Sequence, residues 1–263
     1  VAMAAYADLA LKYNDPAIFR RTFEIAALNR QPDLMLEAAR LWVEKEPNST
    51  DALNVLASTQ ILLGRYAEAQ PVLLRYLSLL PADRRAQELL LLGQRFPAQA
   101  DPQRARKLID TVTAPYVSVP DAQLARAQAA LRAGDDAAAL DAVRSARRLK
   151  PDSEPGVLLN AQILAKQAPA AALSVLADYL ADYPKASSIR AVYAQRLLSA
   201  DRLAEARAQL QILVAQPDIS PEALFATAAI AIQAQDSALG IQALQRLLTM
   251  DSVDASLIEY NLG

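Results

Sequence analysis

Between residues 51 and 81 the apolar positions recur at helical spacing twice, with a break between the two runs. Leu53, Leu56, Ala57 and Gln60 fall on one face, Gly64 turns the chain, and Tyr66, Ala69, Leu73 and Tyr76 form a second face that Pro81 closes. Residues three and four apart share a face of a helix, so the segment predicts a helix–turn–helix. Residues 124–151 repeat the plan, with Gly134 at the turn and Ala139, Val143 and Ala146 in the packing slots. Residues 191–217 repeat it again, with Asp201 at the turn followed by Leu203, Ala206, Leu210 and Leu213.

The prolines give the period. Pro47, Pro81 and Pro115 are separated by 34 and 34 residues, and Pro151, Pro184 and Pro217 follow at 36, 33 and 33. A proline ring clashes with a continuing helix, so each one marks the end of a helical run. A small residue keeps the same phase: Ala69, Ala139, Ala172, Ala206 and Gly240 lie early in the second helix, and Met35 and Gln103 fill that slot in two weaker units. Ala57, Ala127, Ala161 and Ala194 mark the first helices in the same way. Small residues let neighbouring helices approach, while Leu73 and Leu210 fill the gaps between units.

These residues resemble the tetratricopeptide repeat, a helix–turn–helix unit of about 34 residues. The resemblance implies an all-α fold, a right-handed superhelical solenoid of about seven repeats forming one array over residues 1–263. Two segments are left without a partner helix. Residues 5–13 read as a lone second helix, and residues 259–263 as the opening helix of a further unit, with Leu262 and Gly263 in its Leu-Gly slots. Stacked arrays normally end in a polar cap, so the chain reads as a fragment or processed piece of a longer array, with an orphan helix at each end.

Composition narrows the chemistry. The chain has neither cysteine nor histidine, which excludes zinc sites of the usual nitrogen/sulfur kind, disulfides, and Cys-His or Ser-His catalytic pairs. Six glycines leave no glycine-rich phosphate loop. With 27 basic against 29 acidic residues, nothing draws the chain as a whole to nucleic acid or anionic membrane. The longest apolar run, residues 223–232, is about half a membrane span. The acidic pair Asp135 and Asp136 opens a helix, where carboxylates complement the dipole. The basic runs at 144–150 and 104–107 read as solvated helix surface, and Trp42 and Tyr76 as core. The chain is therefore expected to be no enzyme, to need no cofactor or metal, and to bind protein or extended peptide rather than nucleic acid.

In the tetratricopeptide family the first helix of each unit lines the concave face. The slots that point inward by this resemblance are Arg20 and Glu24, then Asn54 and Ser58, then Glu88, Leu92 and Arg95. Leu124, Gln128 and Arg132 follow, then Leu158, Gln162 and Lys166, then Gln195, Phe225 and Gln233, and finally Tyr260. Gln128, Gln162 and Gln195 share one slot in successive units, and amides that both donate and accept can read an extended backbone. The same residue type is also an ordinary surface helix former. A carboxylate clamp of the kind some family members use is not expected, because Val55 stands where an asparagine is needed.

Residues 14–69 carry a narrower likeness. Their opening, NDPAIFRRTFEIA, followed by EAARLWVEKEP, looks like bacterial tetratricopeptide outer-membrane lipoproteins of the LbcA type, and the break at QRFPAQADPQRA resembles their third unit. That likeness implies a periplasmic adaptor, anchored through a lipidated N-terminus, which binds a carboxyl-terminal processing protease and presents substrates such as cell-wall hydrolases. The lipid-bearing cysteine is not in this sequence. A tetratricopeptide component of an envelope secretion or polysaccharide-export assembly is the rival expectation.

Overall fold

The computed structural model describes residues 16–250, and among these every regular element is helical. The helices are α1 (Pro16–Leu28), α2 (Pro32–Lys45), α3 (Thr50–Leu62), α4 (Tyr66–Leu79), α5 (Ala82–Leu91), α6 (Pro102–Thr113), α7 (Pro120–Arg132) and α8 (Asp136–Leu149). They continue as α9 (Glu154–Gln167), α10 (Pro169–Asp182), α11 (Ser187–Ser199), α12 (Leu203–Ala215), α13 (Pro221–Gln233) and α14 (Ser237–Leu248). Short 3-10 turns cover Leu92–Arg95 and Ala114–Tyr116. The expected orphan segments, 5–13 and 259–263, lie outside the described residues.

The turn inside each repeat is a matter of backbone conformation. Gly64 and Gly134 sit at φ 70° and 78°, in the left-handed region that costs a side chain energy and glycine little. Around Gly64 the chain closes a Schellman motif: Arg65 N–H donates to the Gln60 carbonyl at 2.8 Å and Gly64 N–H to the Ile61 carbonyl at 3.0 Å. The same pair of bonds recurs after α7, α11 and α13, and there Asp201 and Gln235 take φ 58° and 59° without being glycine. Arg30 does likewise at φ 53° after α1.

The other helix ends are equally local. Pro81, Pro151, Pro184 and Pro217 each stand two residues beyond the last residue of α4, α8, α10 and α12, as the period predicts. Ser49, Ser153 and Ser220 accept backbone N–H bonds from Ala52, Gly156 and Ala223 and so satisfy otherwise orphaned donors.

The chain divides into two units, Val1–Leu149 and Lys150–Gly263. In the first, α1 packs on α2, α3 on α4 and α7 on α8 as helical hairpins. The main core joins Leu53, Ile61, Leu73, Leu77, Leu89, Leu92, Ile109 and Val112, with a smaller cluster around Phe19 and Trp42. In the second unit α9 pairs with α10, α11 with α12 and α13 with α14. Val157, Leu176 and Ile189 centre one core there, and Leu210, Leu213, Leu224 and Leu244 another. The small slots are filled as expected: Ala57, Ala69, Ala127, Ala139, Ala161, Ala194 and Ala206 have no exposed surface. Leu203 is a correction. It begins α12, ahead of the buried stripe Ala206, Leu210 and Leu213, and is 54% exposed instead of packed.

The third pair departs from the plan. α5 packs on α7, and α6 packs on α4 and α7, but α5 and α6 do not form a hairpin with each other. The helix gives way to the 3-10 turn at Leu92 and then to the irregular stretch 96–101, which carries Pro97. Asp101 restarts helix formation by accepting the Gln103 and Arg104 N–H groups at 2.9 and 3.0 Å.

Candidate interaction faces

In the first unit Asn54, Ser58, Glu88 and Arg95, all expected on the groove, meet, whereas Leu92, expected beside them, is 1% exposed and belongs to the core. Arg95 reaches back across the face: its Nη1 donates to Asn54 Oδ1 at 2.6 Å and to Ser58 Oγ at 2.9 Å. Its Nη2 is paired with the Glu88 carboxylate. The guanidinium also lies 5.5 Å from the centroid of the Tyr76 ring. Burial first, and then the Glu88 charge, push the Tyr76 hydroxyl above its ordinary pKa, so it is neutral at physiological pH. This network fixes the 3-10 turn on α3 and holds two charges in a half-buried setting with their bonds made. It makes a rigid surface rather than a free cation.

Further along the same unit, Arg132 Nη1 donates to the Gly93 carbonyl at 2.6 Å. A side chain added at Gly93 would stand 3.5 Å from Arg132 Nη1 and 3.7 Å from Gln128 Oε1, which places both expected residues beside the turn. Leu124 is a correction: it is 1% exposed and belongs to the core. In α1, Arg20 and Arg21 donate to the Glu24 carboxylate at 3.2 and 2.9 Å, and Arg21 first, then Arg20, lower the pKa of Glu24.

In the second unit Gln162 and Lys166 of α9 are exposed, while Leu158 is half-buried against the core. Gln195 of α11 donates to Gln233 Oε1 of α13 at 3.1 Å, so two of the expected amides are joined side chain to side chain between neighbouring first helices. Phe225 is 41% exposed on α13, and Ala229, Ile232 and Gln233 are exposed farther along the same helix. Tyr260 lies outside the described residues.

Sequence reasoning missed a set of arginines that serve helix ends. Arg85 donates to the carbonyls of Leu77 and Leu80 at 2.8 and 2.6 Å, closing the C-terminus of α4. Arg190, buried, donates to the Pro184 carbonyl and to Gln209 Oε1, both at 2.6 Å, and its burial lowers its pKa. Arg246 gathers the carbonyls of Val214, Gln216 and Pro217 after α12. A cation on a helix C-terminus satisfies orphaned carbonyls and opposes the negative end of the dipole. Among the described residues no group of three acidic, histidine or cysteine side chains is placed to hold a metal ion, and no helix is long and apolar enough to cross a membrane.

No curated protein matches the chain. Among solved structures, it is similar to a tetratricopeptide repeat protein from Parabacteroides merdae, at 13% identity over 98% of both chains with a TM-score of 0.49. It is also similar to a thermophilic TPR protein of Thermus thermophilus, at 19% identity over 67% of this chain and 96% of that one, TM-score 0.48. A third similar structure is YrrB, described as a TPR protein with an unusual peptide-binding site, at 16% identity over 68% of this chain and 88% of that one, TM-score 0.42. A tetratricopeptide repeat family model matches residues 90–154 and 193–255. The helical hairpins outside those segments, with their shared turns, small-residue slots and closing prolines, follow the same plan. The chain carries tetratricopeptide repeats.

Proposed function

We propose that this protein is a non-catalytic scaffold for protein–protein interaction, the general role of tetratricopeptide repeats, and more narrowly a periplasmic adaptor that binds a carboxyl-terminal processing protease. The observation that carries the scaffold reading is the character of the first-helix faces. They present fixed polar groups, the Arg95 network in the first unit and the Gln195–Gln233 pair in the second, where Phe225 is also exposed, and among the described residues no nucleophile–base arrangement accompanies them. Amides and an aromatic anchor on rigid helices suit an extended segment of a partner chain. The narrower reading rests on the likeness of residues 14–69 to periplasmic lipoproteins of the LbcA type, and it carries with it an outer-membrane anchor and the presentation of cell-wall hydrolases to the protease.

The test is direct binding between the immobilised chain and the purified carboxyl-terminal processing protease of the source organism. Retention of the protease, with faster cleavage of a cell-wall hydrolase when the chain is added, supports the adaptor. No retention, together with capture of export-machinery subunits, removes the adaptor and leaves the secretion-assembly scaffold. Substituting Phe225→Ala and Gln233→Ala together then maps whether the second unit's face is used.

A further inference from the structure

The irregular third repeat leaves a pocket. Because α5 and α6 do not pair, the stretch 96–101, the start of α6 and the C-terminal half of α7 enclose about 510 Å³, within the range of small-ligand sites. Its walls are largely apolar, with Phe96, Pro97, Ala105, Ile109 and Ala129 among them, and its only charged lining residues are Arg106 and Arg132. These two differ. Arg106 Nη1 donates to Asp135 at 2.9 Å, and its Nε lies 3.5 Å from Asp110, which Arg126 approaches at 3.4 Å. Two guanidiniums, Arg106 and Arg126, thus face two carboxylates and are balanced by them, and the uncompensated charge at the pocket is that of Arg132. Its one hydrogen bond among the described residues goes to the Gly93 carbonyl, and it forms no ion pair there. Its residue surface is exposed, so the remaining N–H groups of the fork are accessible at the pocket.

From this geometry we infer that the pocket binds a small apolar carboxylate, with the carboxylate on the Arg132 guanidinium and the apolar body against Phe96, Ile109 and Ala129. A cation above an apolar wall selects for both halves of such a ligand. The apolar half alone gains burial but leaves the guanidinium unused, and a charged polar molecule has nothing to bury. The site uses Arg132 of the α7 first-helix face but does not depend on the scaffold reading.

The experiment is a titration of the full chain with 3-phenylpropanoate, and in parallel with the neutral 3-phenylpropanamide, followed by backbone amide shifts. The expected result is saturable movement of the Gly93, Ala105 and Ala129 amides with the acid, and binding of the amide about tenfold weaker, the scale of one charge-assisted interaction. Arg132→Gln should weaken the acid about tenfold and leave the amide unchanged, and Arg132→Lys should restore part of the difference. Because that comparison lies between two ligands on one variant, a general loss of structure would lower both and would not mimic it. Ala105→Trp should fill the pocket and block both. Equal binding of acid and amide, shifts centred on Arg95 rather than Gly93, or no shift with millimolar acid would overturn the proposal.

Discussion

Arg95 Nη1 lies 2.6 Å from Asn54 Oδ1, across 41 residues of sequence, and ties the 3-10 turn after α5 to the middle of α3. With Ser58 and Glu88 as further partners, the guanidinium is the element that keeps this turn on the face of the unit. Arg95→Ala would leave Glu88 half-buried without its counter-charge. The expected loss of stability is about 1–3 kcal/mol, read from urea unfolding. Arg95→Ala with Glu88→Ala should lose less than the sum of the single changes, because the second removes the group that the first leaves unpaired. Strict additivity would show that the pair does not hold the turn.

The positive-φ turns invite a change in the opposite direction. Gln235 stands at φ 59°, where a side chain is unfavourable. Gln235→Gly should stabilise the chain by about 0.5–1 kcal/mol, and Gly64→Ala, at φ 70° with open space around the added carbon, should cost about 1 kcal/mol. Thermal melting of the two variants against the parent checks both signs. A destabilised Gln235→Gly would mean that the lost helix-terminal side chain outweighs the relieved backbone.

Much of this architecture was legible in the residues. Closing prolines and small packing slots act locally or pairwise, so their spacing reports them. Arg30 and Gln235 were not legible as turn residues, because nothing in their side chains announces left-handed backbone. The groove slots Leu124, Gln128 and Arg132 are spaced four residues apart. Four residues advance a helix by about 400°, so each step drifts roughly 40°, and two steps carried Leu124 into the core. The meeting of Asn54, Glu88 and Arg95 on one face followed from repeat phase, but their bonds to one another did not, since phase carries no information on rotamer. The helix-capping roles of Arg85, Arg190 and Arg246 depend on carbonyls brought near by tertiary packing and leave no periodic trace.

Acid should weaken the fold through specific carboxylates. The Ala138 N–H, and then the Arg106 guanidinium, hold the Asp135 carboxyl below its ordinary pKa. Arg202 does the same to Glu205. A carboxylate lowered in the folded state contributes stability above its unfolded pKa and loses that contribution as pH falls through the folded one. The loss therefore belongs below about pH 4. Asp135→Asn keeps a cap acceptor but not the charge, so its urea midpoint should fall less steeply than the parent's between about pH 5 and pH 3. An unchanged slope would place the acid sensitivity elsewhere.

Arg246→Met is expected to loosen the end of α12. Three carbonyls, of Val214, Gln216 and Pro217, would lose their shared donor, and α14 would lose its tie to that helix end. The cost should be about 1–3 kcal/mol by urea unfolding, since the bonds are charge-assisted. Arg246→Lys, with one compact ammonium in place of a planar fork, should recover only part of it. Full recovery by lysine would mean that charge near the helix end matters and fork geometry does not.

The unpaired third repeat should also appear in local opening. α5 buries only Leu89 within its length, whereas α3 buries seven residues and is flanked by α4 as a hairpin partner. Local opening free energy follows buried apolar contact, so the amides of α5 should exchange with solvent faster than those of α3 under native conditions. Arg95→Ala should accelerate exchange in α5 and in the 3-10 turn at Leu92–Arg95 more than in α4, because it removes the bonds from that turn to α3 while the core around Leu73 and Leu77 stays packed. Hydrogen-exchange mass spectrometry of parent and variant resolves these segments. Equal protection of α5 and α3 in the parent would show that packing on α7 alone replaces the missing hairpin.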